Sequence, residues 1–243
     1  MATIDINYKL KSLMHQDNFK IISPIENTNQ ELKTIYLLHG MYNDYNDWIR
    51  RTNIIDLTKD YKFNAILLNG RNSYYINDQT NQEHYSNYIK EIQEITEKII
   101  NTKKGKENNI ILGASMGGFG ALYNGLKYHE NFGKIISLAP VIPDEIKETK
   151  KDEDYTNVKQ YIQNKLNKNY PIKEKILKLE KEDKLPQIHL STGPNDYLYE
   201  SNTRFKEFLD ENNIPYTYHE YTGQHKWKTW NQEINTIIEK YIL

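Results

Sequence analysis

The chain has 243 residues, and its 32 Lys and Arg nearly cancel its 33 Asp and Glu to leave a formal net charge of −1 at pH 7, so no global field recruits a polyanion or an anionic membrane and no nucleic-acid partner is expected. Cysteine is absent, which excludes thiolate catalysis, disulfide frameworks and cysteine-ligated zinc. The length suits one domain with a sizeable core, no stretch approaches the roughly 20 apolar residues of a membrane span, and the N-terminal stretch lacks the basic-then-apolar pattern of a leader, so a cytoplasmic protein is expected.

Along the chain, short apolar runs alternate with longer amphipathic segments, the pattern of a mostly parallel sheet covered by helices. The opening differs. Ile4 to Leu10 alternates with period two and Phe19 to Ile22 follows after a short polar connection, which predicts an antiparallel pair at one sheet edge. Further strands are predicted at Thr34–Leu38, Ala65–Leu68, Ile110–Leu112, Lys134–Leu138, Gln187–Leu190 and Tyr216–Tyr221, about eight in all. Between them, Tyr85, Tyr88, Ile89, Ile92, Ile95 and Ile99 keep one apolar helical face within a run rich in Glu and Lys. A second helix carries Phe205, Phe208 and Leu209, and a closing one Trp230, Ile234, Ile237, Ile238 and Tyr241.

The segment 143–185 breaks this rhythm, being too long for an ordinary connection and dominated by Lys, Glu, Asp and Asn. It is read as a mainly helical, cap-like insertion in a single domain spanning residues 1–243, with Glu148–Asp154 as its approach. Ile146, Tyr155, Ile162 and Leu166 are the side chains that such a cap would turn toward a pocket. A solvated excursion without function is the alternative. Lys103-Lys104-Gly105-Lys106 reads as a solvated turn between helix and strand.

The sharpest local signal is Ile110-Ile111-Leu112-Gly113-Ala114-Ser115-Met116-Gly117-Gly118, a strand entering Gly-x-Ser-x-Gly and then a helix. With 11 glycines in the chain, composition alone predicts only about 0.02 such matches, so accident is a poor explanation. A nucleophile at a strand-to-helix elbow needs a strained backbone, and tiny residues two before and two after it relieve the crowding. The helix N-terminus beyond it favours developing negative charge. Ser115 is therefore the candidate nucleophile of an α/β-hydrolase fold, the other reading being a capping serine in a glycine-rich turn.

A serine hydroxyl needs a base, and the base needs an orienting acid. In this fold the chain order is serine, acid, histidine. That order sets aside His15, His39 and His84; His129 falls at the helix after the elbow, and His189 within a strand. Of the two that remain, His219 belongs to an alternating strand run, whereas His225 follows Thr222-Gly223-Gln224 between the last strand and the last helix, where the base is expected. For the acid, Asp196 lies on the tight loop Gly193-Pro194-Asn195-Asp196 directly after a strand, with Asp144 as its competitor. The oxyanion donors are assigned to the backbone amides of Met116, the residue after the nucleophile, and of Met41 in the loop after Ile35–Leu38. His39, Gly40 and Trp48 are placed at the substrate pocket, although aromatic residues such as Trp48, Trp227 and Trp230 more commonly pack helices on a sheet.

Taken together, Leu37-Leu38-His39-Gly40-Met41, Asp47-Trp48, Arg50-Arg51-Thr52-Asn53, Gly113-Ala114-Ser115-Met116-Gly117-Gly118, Gly193-Pro194-Asn195-Asp196-Tyr197-Leu198-Tyr199 and Gly223-Gln224-His225-Lys226-Trp227 resemble the esterase D family, in particular its bacterial tributyrin-esterase-like branch. The likeness spans nearly the whole chain, with the motifs in order. It implies a serine carboxylesterase acting on short-chain acyl esters, with Ser115, Asp196 and His225 as triad and Met41 and Met116 as oxyanion amides. Related members include S-formylglutathione hydrolases and feruloyl esterases, so a thioesterase and a feruloyl or acetyl-sugar esterase stand as alternatives, and a catalytically silent binding module as the non-enzymatic one. Asn69 departs from the branch, where a proline introduces the segment Asn69 to Tyr75. No metal or organic cofactor is expected; the partner is a small-molecule ester, and self-association into a homo-oligomer is left open.

Overall fold

A computed structural model describes every residue except 26–29, 79, 146–159, 162–163, 165–170 and 243. Its eight strands are β1 (Ala2–Leu10), β2 (His15–Ser23), β3 (Thr34–Leu38), β4 (Asn64–Leu68), β5 (Asn109–Ala114), β6 (Lys134–Leu138), β7 (Gln187–Thr192) and β8 (Thr217–Glu220). They form one sheet in the order β1-β2-β4-β3-β5-β6-β7-β8. The β1–β2 and β2–β4 pairings are antiparallel, and all the others are parallel. This is the α/β-hydrolase architecture read from the sequence, with the antiparallel pair at one edge as expected.

The burial of each strand follows its place. Every residue of β3, β4 and β5 is buried, because helices cover both faces of the parallel centre and leave no polar side to alternate with. The edge strand β1 instead alternates half-buried and exposed side chains over Ala2 to Ile6. At the far margin β8 has only four residues, and none of them is buried.

Seven helices are described: α1 (Asp47–Arg51), α2 (Ile54–Tyr61), α3 (Tyr85–Ile99), α4 (Met116–Lys127), α5 (Ile172–Lys181), α6 (Tyr199–Glu211) and α7 (Trp227–Ile242). On one face Ile89 and Ile92 of α3, Phe119 and Leu122 of α4, Ile176 of α5 and Phe205 of α6 meet the sheet in one core. On the other, Trp48, Ile54 and Leu57 pack with Ile234 and Ile237 of α7. The chain thus buries apolar stripes on both sides of β3 and β5, which fixes the carboxyl ends of those strands where the site is built.

Part of the 143–185 segment is an ordinary crossover. Ile172, Ile176 and Leu179 on α5 are buried in the main core, as helical spacing on one face requires. The cap residues Ile146, Tyr155, Ile162 and Leu166 and the approach Glu148–Asp154 lie outside the described residues. Among the described residues no helix is long and apolar enough to cross a membrane.

Candidate active site

Strand β5 ends at Ala114, and α4 begins at Met116. Ser115 between them has φ 58° and ψ −117°, a conformation that costs a side-chain-bearing residue about 1–3 kcal/mol. Two glycines make the elbow possible. A Cβ on Gly113 would fall 2.0 Å from the Gly117 carbonyl oxygen, and one on Gly117 2.1 Å from the Leu38 carbonyl oxygen. The turn therefore packs directly on the end of β3 and is pinned by the Ser115 N–H, which donates to the Leu138 carbonyl at 2.8 Å.

Three side chains far apart in the chain meet there. The Ser115 hydroxyl donates to Nε2 of His225 at 2.8 Å, and His225 Nδ1–H donates to Oδ2 of Asp196 at 2.9 Å. The carboxylate can only accept, so the Nδ1–H tautomer follows from the contact and leaves Nε2 free to take a proton. Asp196 is 3% exposed, and its charge is held by further donors: the Leu198 N–H reaches Oδ1 at 2.9 Å and the Tyr221 phenol Oδ2 at 2.9 Å. Burial, followed by the adjacent carboxylate, pushes the Tyr221 phenol well above its ordinary range, so it stays a donor.

The other candidates lie elsewhere. His219 turns Nδ1 toward Glu233, 2.8 Å away and almost wholly buried. His189 bonds Thr217 at 2.8 Å. It is Asp196 that meets the imidazole of His225, whereas Asp144 sits in a short turn at Pro143–Glu145.

The expected oxyanion residues, Met41 and Met116, line one cavity with Ser115. Met116 opens α4, so its N–H is one of the helix-end donors without an intrahelical acceptor. Gly40 lies so close that a Cβ on it would be 3.5 Å from the Cβ of Ser115, which brings the following residue, Met41, to the same cavity. This loop is bound from the segment after β4. The Gly70 N–H donates to Nε2 of His39 at 3.0 Å, the Tyr42 N–H to Oδ1 of Asn72 at 2.8 Å, and the Tyr75 phenol to the His39 carbonyl at 3.3 Å. Asn69, where the family resemblance expects proline, donates through Nδ2 to Asp17 at 2.9 Å.

Two pocket expectations are corrected. His39 is 0% exposed, with Nδ1–H donating to the Gly40 carbonyl at 2.8 Å, so it shapes the loop from beneath and does not face substrate. Trp48 is 0% exposed in the core, its ring edge-to-face with Trp227 at 5.0 Å. The reason is α1, whose first turn points Trp48 inward and leaves Trp227 and Trp230 at the cavity. Ser115 opens into this cavity of about 1080 Å³, with Met41, Tyr74, Tyr161, Tyr197 and Trp227 among its walls. Gly40 lines it as expected.

Sequence reasoning missed Tyr197 and Tyr221. Tyr197 lays its ring over the imidazole of His225, centroids 4.3 Å apart, and lines the same cavity as Ser115. Its place one residue beyond Asp196 was the signal available. Tyr221 closes the strand run that carries His219, and nothing in its spacing singled it out. Among the described residues no group of three or more His, Cys, Asp or Glu is arranged to hold a metal ion.

A family model for esterases, described as "Putative esterase", matches residues 11–241. An acetyl esterase of Caldicellulosiruptor saccharolyticus is 31% identical, over 98% of this chain and 97% of its own length. The substrate-bound fluorophosphonate-binding serine hydrolase F (FphF) of Staphylococcus aureus superposes with a TM-score of 0.87 at 25% identity, covering 100% of this chain and 98% of the other. S-formylglutathione hydrolase (FrmB) of the same species, as apoenzyme, gives 0.83 at 26% identity over 100% and 99%.

Proposed function

Given that this chain belongs to the esterase family and is a serine hydrolase of carboxylic esters, we propose that Ser115 is its nucleophile and short-chain acyl esters its substrates. Ser115 attacks the ester carbonyl while His225 takes its proton at Nε2. Asp196 orients the ring and balances the imidazolium, and the Met41 and Met116 amides hold the tetrahedral oxyanion. The protonated His225 then returns its proton to the leaving alkoxide, and a water, deprotonated by the same nitrogen, cleaves the acyl-enzyme. No step in this sequence needs a metal or an organic group.

The observation that carries this reading is the unbroken relay from Ser115 through His225 to Asp196, with contacts of 2.8 and 2.9 Å. The motifs around Ser115, Asp196 and His225 support the tributyrin-esterase-like branch of the esterase D family. Tyr161, whose phenol donates to the Asn72 carbonyl at 3.0 Å and which lines the cavity, supports a cap-like role for the 143–185 segment. Ser115→Ala should abolish turnover of p-nitrophenyl acetate and butyrate with the fold intact by circular dichroism; undiminished turnover rejects the assignment.

A second reading, hydrolysis of a thioester, draws on the likeness to the Staphylococcus S-formylglutathione hydrolase. The same residues would serve it, because a thiolate leaves more readily than an alkoxide. Oxygen-ester and S-formylglutathione turnover, compared on one preparation, separates the two.

A further inference from the structure

The catalytic cavity is unevenly charged. Arg51, Lys226 and Lys228 line it, and among the described lining residues none is acidic. Arg51 ends α1 and the lysines stand at the start of α7, two helices in contact with each other, while Tyr74, Val141 and Tyr161 of the lining are uncharged. The excess is local, since the whole chain carries a formal charge of −1.

Within this wall Arg51 is balanced by a carboxylate, and the uncompensated charge is that of the two lysines. Asp47 forms ion pairs with Arg51, at 2.7 Å, and Arg50, at 3.1 Å, and Arg50 has a second partner in Asp44 at 3.0 Å, so two carboxylates balance the two guanidinium groups. Lys226 and Lys228 are exposed, and among the described residues neither has a carboxylate within ion-pair distance. Their setting makes the choice more pointed. The first turn of α7 contains no acidic residue, and a helix N-terminus favours carboxylates over ammonium groups. Two lysines there oppose the local field, and such departures from local preference collect at functional surfaces.

We propose that this wall is a binding site for an anionic group, a carboxylate or phosphate carried by the ester, which makes negatively charged esters the preferred substrate class. The inference rests on the esterase reading above, because the wall and Ser115 share one cavity. Trp227 stands between Lys226 and Lys228 and lines the same cavity, so an anion paired with the lysines would have an aromatic face beside it and its ester bond directed toward Ser115. The lysines are solvated, so the effect is moderate and salt-sensitive.

The test uses two matched pairs of esters. Para-acetoxybenzoate against para-acetoxybenzamide places the charge on the alcohol fragment, and mono-p-nitrophenyl adipate against p-nitrophenyl hexanoate places it on the acyl fragment. For each pair the ratio of kcat/KM, anionic over neutral, is measured in the wild type and in Lys226→Gln/Lys228→Gln. The expected result is a ratio about three- to tenfold lower in the double variant at low ionic strength, mostly through KM, in at least one pair. The same ratio should fall in the wild type as sodium chloride is raised. A ratio unchanged by the substitutions in both pairs overturns the proposal.

A second measurement separates this proposal from the esterase reading. In Ser115→Ala protein, binding of para-acetoxybenzoate should exceed that of para-acetoxybenzamide, and the lysine substitutions should remove the difference. A binding preference that persists in this variant supports the anion site, and only wild-type protein that shows the same preference without turning over either ester would count against the hydrolytic assignment alone. Equal binding of the two compounds counts against the anion site whatever the turnover.

Discussion

The Tyr221 phenol donates to Oδ2 of Asp196 at 2.9 Å, on the carboxylate oxygen that also receives the His225 Nδ1–H. Asp196 therefore spreads its charge over three donors and can orient His225 without being protonated itself. Tyr221→Phe should lower kcat about three- to tenfold with little change in KM, since the lost bond acts on the acid and not on substrate. Asp196→Asn removes the acceptor that selects the imidazole tautomer, and a loss in kcat of about 10³–10⁴ is expected. Steady-state kinetics of both variants on p-nitrophenyl acetate check the pair; a Tyr221→Phe enzyme as slow as Asp196→Asn would show that the phenol does more than support the acid.

His39 links stability to pH. Burial lowers its pKa from the ordinary 6.5, against the smaller opposing pull of its bond to the Gly40 carbonyl. The imidazole is thus neutral in the fold, donating through Nδ1 and accepting the Gly70 N–H on Nε2. Below pH 6.5 the unfolded chain takes up a proton there that the folded chain refuses, so stability present above 6.5 is lost as pH falls toward the lowered value. The loss should approach about 1.4 kcal/mol per pH unit. Urea unfolding at a series of pH values should show a shallower acid slope in His39→Gln than in the parent.

Gly117 has no room to vary. A Cβ would sit 2.1 Å from the Leu38 carbonyl, at the end of β3, and 2.7 Å from that of His39, where the loop bearing the expected oxyanion amide begins. Gly117→Ala should cost at least about 3 kcal/mol of stability. Whatever protein folds should lose turnover beyond its loss of stability, because relief of the clash moves Met41. Denaturant unfolding and kcat on the same sample test this.

Two tryptophans in edge-to-face contact should behave oppositely. Trp48, 0% exposed, should destabilise by about 3–5 kcal/mol on replacement by Ala. Trp227, half-buried at the cavity, should shift KM for aromatic esters about threefold or more with a smaller effect on Tm. A large loss of stability in Trp227→Ala with unchanged KM would contradict its place in the wall.

The legible parts of this molecule were those in which one residue type answers one local demand. Gly113 and Gly117 mark an elbow, the apolar runs of β3 to β7 mark strands buried on both faces, and chain order sets aside three of the six other histidines while helix or strand position disfavours the remaining three. What escaped depends on contacts between segments distant in sequence. His39 looks like a substrate residue beside Gly40, and only its bond to Gly70 shows that it holds the loop. Trp48 follows the oxyanion loop in sequence, yet the direction of α1 turns it away from the cavity. Tyr221 reads as the end of a strand until Asp196, 25 residues earlier, is brought beside it.

The four residues of β8 pair with β7 alone, through Thr217 to Glu220, and lead straight into the loop that delivers His225. Of the two sheet edges this one has the fewer rungs, four against nine between β1 and β2, and no residue of β8 is buried, while Ser115 sits at the well-buried centre. Mild heat or urea that frays the border would withdraw the imidazole and silence the enzyme before the interior gives way. Turnover and compactness would then part company in this protein, activity vanishing while most of its spectroscopic signature of folding endures.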